Sequence, residues 1–338
     1  MGKVIYADFS AVPTLEGLTV LRDQTIRRLQ SLVKGLAFTD PAGRRVAIEV
    51  KVDIANPQRP DVFYNASAKR QPWGGYEVNL GGGMLHRLDM MAQTLAADPT
   101  VLRGNRRSRL LDSQARAGGR RQVMASFAYS FLVDFVFWHE VAHITRGHTD
   151  WISRRGRGEG LAELHMTPRD EAEAADLRAL EGDADRQAVG WAAASFDVSI
   201  QHNPYLRYQS AVDAFHDFGY LTVALFMLFD AFQNHASEAL RTHPDNHHRL
   251  ALMVSHVDQY LSKHRGDASR ALHEAAAEGG RRALNQLLHG NRREIDAWAL
   301  LRFLGELEPT IQRLGVRELR LSPDVVPGVT SFELPWVA

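Results

Sequence analysis

The chain has 338 residues, of which 45% are hydrophobic and 24% charged, a balance that argues for a buried core and against wholesale disorder. Its 40 basic side chains cancel its 40 acidic ones, which argues against a protein whose main business is coating nucleic acid or an anionic membrane surface. There is no cysteine, so disulfides, thiol nucleophiles and Cys-ligated metal are excluded, and any metal must be held by His, Asp or Glu.

In chain order, the residues after Met1 carry no apolar stretch of the kind a signal peptide needs. Leu15, Leu18, Leu21, Leu29, Leu32 and Val33 recur at helical spacing and predict a helix over 15–35. Val46, Ile48, Val50, Val52 and Ile54 alternate with Ala47, Glu49, Lys51 and Asp53, the period of a half-buried strand. Residues 76–80 read as a second strand, which runs through Gly81, Gly82 and Gly83 into a helix near 84–97. That strand is a candidate sheet edge, to which an extended peptide would add alongside Glu77, Val78 and Asn79.

Residues 103–121 hold seven arginines and read as an exposed, mobile, solvated loop, with a site for an acidic partner as the alternative. From Gln122 onward the pattern is almost wholly helical, over 122–146, 169–195, 207–235, 246–263, 267–289 and 292–313. Phe218 to Phe229 is the longest apolar run; at 12 residues it is too short to span a bilayer and reads as a core helix. The expectation is a cytoplasmic α+β protein, mostly α. It is read as a single domain over 1–338, with a core at 45–250, a helical subdomain at 251–320 and an extended tail at 321–338, where three prolines fall.

The chemistry concentrates in Phe137-Trp-His-Glu-Val-Ala-His-Ile-Thr-Arg-Gly-His148, which contains H-E-x-x-H as His139, Glu140 and His143. On a helix, positions i and i+4 share a face, so both imidazoles reach one metal ion. Glu140 stands about 100° round from His139, close enough to touch a metal-bound water without ligating the metal. Gly147 is placed to end that helix. A hydrolytic zinc ion takes three protein ligands and keeps one open position. The segment Glu181-Gly-Asp-Ala-Asp185 again presents two carboxylates at i and i+4. One can ligate while the other accepts a hydrogen bond from a ligand imidazole. The small Gly182 and Ala184 would let this helix approach the first closely.

Further on, Thr242-His-Pro-Asp-Asn-His-His-Arg249 offers His243 to stabilise an oxyanion. Arg249 would orient substrate or pair with a carboxylate such as Asp185. His148 is read as a bystander or a supporting group, because Gly147 and His148 stand four and five residues after His143 rather than at the metzincin spacing. His202, His216, His235, His247 and His248 are read as solvated or capping.

In that order the motifs H-E-x-x-H, E-x-x-x-D and H-P-x-x-x-x-R resemble the gluzincin metallopeptidases. The pattern is similar to the HtpX-like and CAAX-processing peptidases and, in a variant without transmembrane helices, to the Lit-type phage-exclusion peptidases. The resemblance covers roughly residues 76–250. It implies a zincin-like core with a small sheet beside the H-E-x-x-H helix, and Zn2+ held by His139, His143 and Glu181. It further implies Glu140 as general base, Asp185 supporting a ligand, and His243 and Arg249 lining the catalytic cleft. The implied activity is hydrolysis of a peptide bond in a protein or peptide substrate. A zinc amidase or deacylase acting on a small molecule, and a non-catalytic zinc-containing binding protein, are the competing readings.

Overall fold

A computed structural model describes residues 14–34, 38–54, 65–111, 113–155, 160–162, 168–232, 241–287 and 297–323. The leucine stripe folds as helix α1, Leu15–Lys34, which buries Leu18, Leu29 and Leu32. After a two-residue strand pair, β1 (Phe38–Thr39) and β2 (Arg45–Val46), come β3 (Ile48–Asp53), β4 (Ala66–Arg70) and β5 (Tyr76–Gly81). With β7 (Gly160–Ala162) they form a sheet of order β3-β5-β4-β7. The chain is thus α+β and mostly α.

Strand β5 is not an edge. It pairs in parallel with β3 and antiparallel with β4, so its backbone hydrogen-bonding groups face partners on both sides. Val78 is fully buried, and Glu77 sits between Lys51 and Lys69 of the flanking strands, 2.9 Å from the latter. Asn79 donates to Asp53 at 2.6 Å. The expected addition of a peptide along Glu77, Val78 and Asn79 therefore has no free edge to use.

Helix α2 (Gly82–Ala97) leaves β5 directly and packs on α3 (Ser113–Thr145). Every residue from Phe131 to Thr145 on α3 is buried. A helix covered all round belongs at the centre of a fold: α5 (Glu171–His202) and α6 (Ala211–Phe232) pack on it, and α7 (Asn246–His264), α8 (Ser269–Leu287) and α9 (Ala297–Leu314) form an outer layer against those two and one another. Asp170 starts α5 by accepting a hydrogen bond from the Glu173 N–H at 2.8 Å. The boundary expected at 250/251 falls inside α7. The last residues of the helices expected at 207–235 and 267–289, the first of the one expected at 292–313, and most of the expected tail lie outside the described residues, while the expected start at 207 falls in a strand, Leu206–Tyr208, and the helix begins at Ala211.

The arginine-rich segment is tied down rather than loose. The backbone N–H groups of Arg103 and Gly104 each donate to the buried Asp217 carboxylate at 2.7 Å. Arg107 pairs with Asp213 at 2.9 Å, and β6 (Ser108–Leu110) pairs with β8 (Leu206–Tyr208). Helix α3 then begins at Ser113, nine residues ahead of the expected start, and turns a corner at Gly119, whose φ is 79°.

Helix α6 is the apolar run. Its stretch Ala211–Asp230 is long and apolar enough to cross a membrane by length and composition, yet 89% of that window is buried within the protein. The cover comes closest from α8, where two glycines let the backbones touch. A Cβ on Gly219 would stand 1.9 Å from the Ala276 carbonyl oxygen, and one on Gly279 would stand 1.9 Å from that of His216. Gly219→Ala must therefore push the helices apart. We expect it to lower unfolding stability by at least about 1–3 kcal/mol, read from the denaturant midpoint; an unchanged midpoint would mean the crossing is looser than described.

Candidate metal centre

The i, i+4 spacing on α3 brings the rings of His139 and His143 to 4.7 Å between centroids, with their Nε2 atoms 2.9 Å apart. Helix α5 lays Glu181 against this pair: its Oε2 is 3.1 Å from His139 Nε2 and 3.5 Å from His143 Nε2. All three side chains are buried, and together they form a group able to hold a metal ion. Glu140, next along α3, is buried beside them.

Behind each imidazole stands a chain of partners that fixes its tautomer. His139 Nδ1 lies 3.0 Å from Asp185 Oδ1, and Arg249 closes its guanidinium fork on the same carboxylate at 2.7 and 2.8 Å. The carboxylate asks for the proton on Nδ1, so Nε2 presents its lone pair to the centre. His143 is held through one more link. His148 Nε2 lies 3.2 Å from Asp183 Oδ2, and Asp183 is gripped by Arg146 through two bonds of 2.7 Å. His148 therefore donates to Asp183 and offers a bare Nδ1, 3.0 Å away, to the Nδ1–H of His143. The Nε2 of His143 then points bare to the centre.

The electrostatics agree with this assignment. Burial pushes the His143 imidazole down to about 4 and lowers that of His148, so both are neutral near pH 7. For Asp183 and Asp185, burial works to raise the carboxyls. His148 and Arg146 outweigh it at the first, and Arg249 and His139 at the second, so both stay ionised. Burial likewise works to raise Glu181, but the groups around it, His243 first among them, hold it well below the carboxylate range.

His243 reaches the centre from the loop before α7: its buried Nε2 is 3.2 Å from Glu181 Oε2, and its Nδ1 is 3.2 Å from the Thr242 hydroxyl. Arg249, expected to line the cleft or to pair with a carboxylate such as Asp185, is buried on the far side of Asp185 from His139. It is held by Asp185 on one side and by the face of Phe226, 4.1 Å from its guanidinium carbon. Gly182 does not serve the approach of α5 to α3. A Cβ there would meet Phe303 of α9 at 3.1 Å, so the small residue makes room on the opposite side.

Gly147 does end the helix, in the left-handed region at φ 82°. The segment around Leu319 presses so close that a Cβ at Gly147 would stand 2.6 Å from the Leu319 Cβ. Among the other histidines, His216 is buried against Asp217, at 3.1 Å, rather than solvated. His248 packs beside Asp245, the cap of α7, and His202 is exposed. His235 lies outside the described residues.

Asp183 and Arg146 are the members of the site that sequence reasoning missed. The only signal for them was the third acidic residue inside Glu181–Asp185 and an arginine one turn beyond His143.

A family model described as Peptidase U49 matches residues 108–265, a span that contains every residue of the centre described above. No curated protein and no solved structure matches the chain. Over that span the chain is similar to a peptidase family, and the buried group of His139, His143 and Glu181 within it can hold a metal ion.

Proposed function

We propose that the chain is a zinc-dependent metallopeptidase, an endopeptidase that hydrolyses a peptide bond in a cytoplasmic protein. The observation that carries this reading is the triangle of donor atoms. Its edges are 2.9, 3.1 and 3.5 Å. Zinc bonds of about 2.0–2.1 Å at tetrahedral angles require ligand atoms about 3.3 Å apart. Two bare imidazole nitrogens and an ionised carboxylate, turned toward one another in a buried space, are the arrangement that a cation would satisfy. The donor set, two His and one Glu with no thiolate, is that of catalytic zinc rather than of a closed structural site.

In this reading His139, His143 and Glu181 hold the ion. When bound there, zinc supplies Lewis-acid polarisation of a carbonyl and a lowered pKa for water. Glu140 acts as general base: its carboxylate takes a proton from the attacking water and returns it to the departing nitrogen, so that the leaving group is a neutral amine. His243 Nε2, at the rim of the centre, donates to the oxygen on which negative charge develops. Asp185 with Arg249, and His148 with Asp183, hold the ligand imidazoles in the required tautomer.

Loss of Glu181 removes a donor, not merely a support. Glu181→Ala is expected to weaken zinc binding by more than the ~10–100-fold that follows loss of a supporting partner, measured by competition with a chromogenic chelator. Affinity equal to wild type would move the third ligand elsewhere. The activity itself is tested by surveying new protein N-termini in cells expressing wild type against cells expressing Glu140→Gln. Discrete termini confined to wild type are the expected result; identical sets in the two would defeat the peptidase reading.

A further inference from the structure

Away from the metal centre a partly open pocket of about 430 Å³ lies between the middle of α3 and the last third of α5, with Arg28 of α1 at one end. The size is that of a small-molecule site. It is not the metal's own cleft. On α3 its nearest lining residue, Asp134, comes five residues before His139; on α5, Ala192 comes eleven residues after Glu181. Along the helix axes those offsets are about 7.5 and 16.5 Å. On its wall Phe131 meets Phe196 and Phe218 edge-on, at 5.5 and 5.4 Å, and Phe135 at a tilt, at 6.3 Å.

The walls are apolar, chiefly Phe127, Phe131, Phe196 and Val123, but four serines interrupt them. Ser126 and Ser130 lie at i and i+4 on α3, and Ser195 and Ser199 lie at i and i+4 on α5, so each pair lines one wall. A hydroxyl on a helix commonly bonds the carbonyl one turn back. Thr19, Thr94 and Thr222 of this protein do so, at 2.8, 2.8 and 2.9 Å. None of the four serine hydroxyls is engaged by another described residue. Ser195 is 5% exposed and Ser130 and Ser199 are half-buried, while Ser126 is exposed, so the two pairs offer hydroxyls to a guest from the buried wall out to the mouth. At one end Arg28 and Asp134 are paired with each other, so that their charges cancel.

We propose that this cavity is a second binding site, for a small neutral ring-bearing molecule whose body lies among Phe127, Phe131 and Phe196 and whose hydroxyl or carbonyl groups meet the serine pairs. The phenyl rings, set edge-on to one another at 5.5 to 5.7 Å, offer both faces and edges to an aromatic guest. The neutral end of the cavity selects against a charged one. The site shares α3 and α5 with the metal donors, yet neither zinc nor turnover is needed to detect it.

The test is a titration of the full chain with 2-naphthol, a neutral aromatic alcohol, followed by calorimetry. The expected result is saturable binding of one molecule, weakened at least about tenfold in the double variant Ser130→Ala/Ser195→Ala, which removes hydroxyls without enlarging any side chain. Ala192→Phe, which fills the cavity, should abolish binding while leaving zinc content unchanged. The anion 2-naphthoate should bind at least about tenfold more weakly than 2-naphthol, the cost of desolvating an unpaired charge. No saturable binding to wild type, or binding equal in wild type and both variants, would overturn the site; naphthoate binding as tightly would overturn its neutral character. Since no step reads peptidase activity, failure here and failure of the proposed function are separate results.

Discussion

Glu140→Gln is expected to lower kcat/KM on a quenched fluorescent peptide library by on the order of 10²–10⁴-fold, the usual worth of a positioned general base, with zinc content unchanged. The substitution keeps the size and shape of the side chain and removes only its capacity to take up a proton. Glu140 is 1% exposed and belongs to the fully buried stretch of α3, so any rate change must be separated from unfolding. The helix signal in circular dichroism and the zinc stoichiometry serve that purpose. Full turnover by the variant would remove Glu140 from the chemistry and, with it, the metallopeptidase mechanism proposed for this centre. Loss of zinc together with activity would instead place Glu140 among the groups that hold the metal.

What the sequence revealed of this centre follows from how local each relation is. His139 and His143 are one helical turn apart, so the pattern alone brings their rings together, and the structure adds only the 2.9 Å between their Nε2 atoms. Glu181 and Asp185 share a face of α5 by the same rule, but which of them turns inward to the two imidazoles depends on how α5 rotates against α3, and residue spacing leaves that open. Asp183 could not be picked out. It lies among Asp170, Glu171, Glu173, Asp176 and Glu181, all acidic, and only packing shows that it faces Arg146 and His148.

The sheet was misread for a related reason. Strand β4, Ala66-Ser-Ala-Lys-Arg70, has little β-propensity of its own and draws its place from pairing with β5, so without it β5 looks like an edge. The arginine-rich segment looked unanchored because its anchors, Asp213 and Asp217, lie more than a hundred positions away in sequence.

The two imidazoles are supported unequally, and the difference is consequential. His143 leans on His148, a neutral ring, with the charged Asp183 and Arg146 one link further out. His139 leans directly on an ionised carboxylate whose charge is matched by a single arginine, itself 1% exposed. Removing the carboxylate therefore does two things at once. It takes away the acceptor that holds the proton on His139 Nδ1, and it takes from the Arg249 guanidinium, buried beside the rings of Phe226 and Phe229, the carboxylate that grips it through two bonds.

Asp185→Ala is thus expected to cost about 3–5 kcal/mol of unfolding stability, the penalty of a broken buried ion pair, out of a total that is about 5–15 kcal/mol for an ordinary domain. Zinc affinity is expected to fall ~10–100-fold, since His139 is free to adopt the wrong tautomer. The two effects separate in the double variant Asp185→Ala/Arg249→Met. Removing that guanidinium should restore most of the stability measured by denaturant, because a flexible apolar chain fills the same space against the phenyl rings. It cannot restore an acceptor to His139 Nδ1, so zinc binding should stay as weak as in the single variant. Recovery of both would mean that Asp185 acts on the metal only by keeping the fold intact; recovery of neither would mean that Arg249 supports the fold through its stacking on Phe226 rather than through its charge.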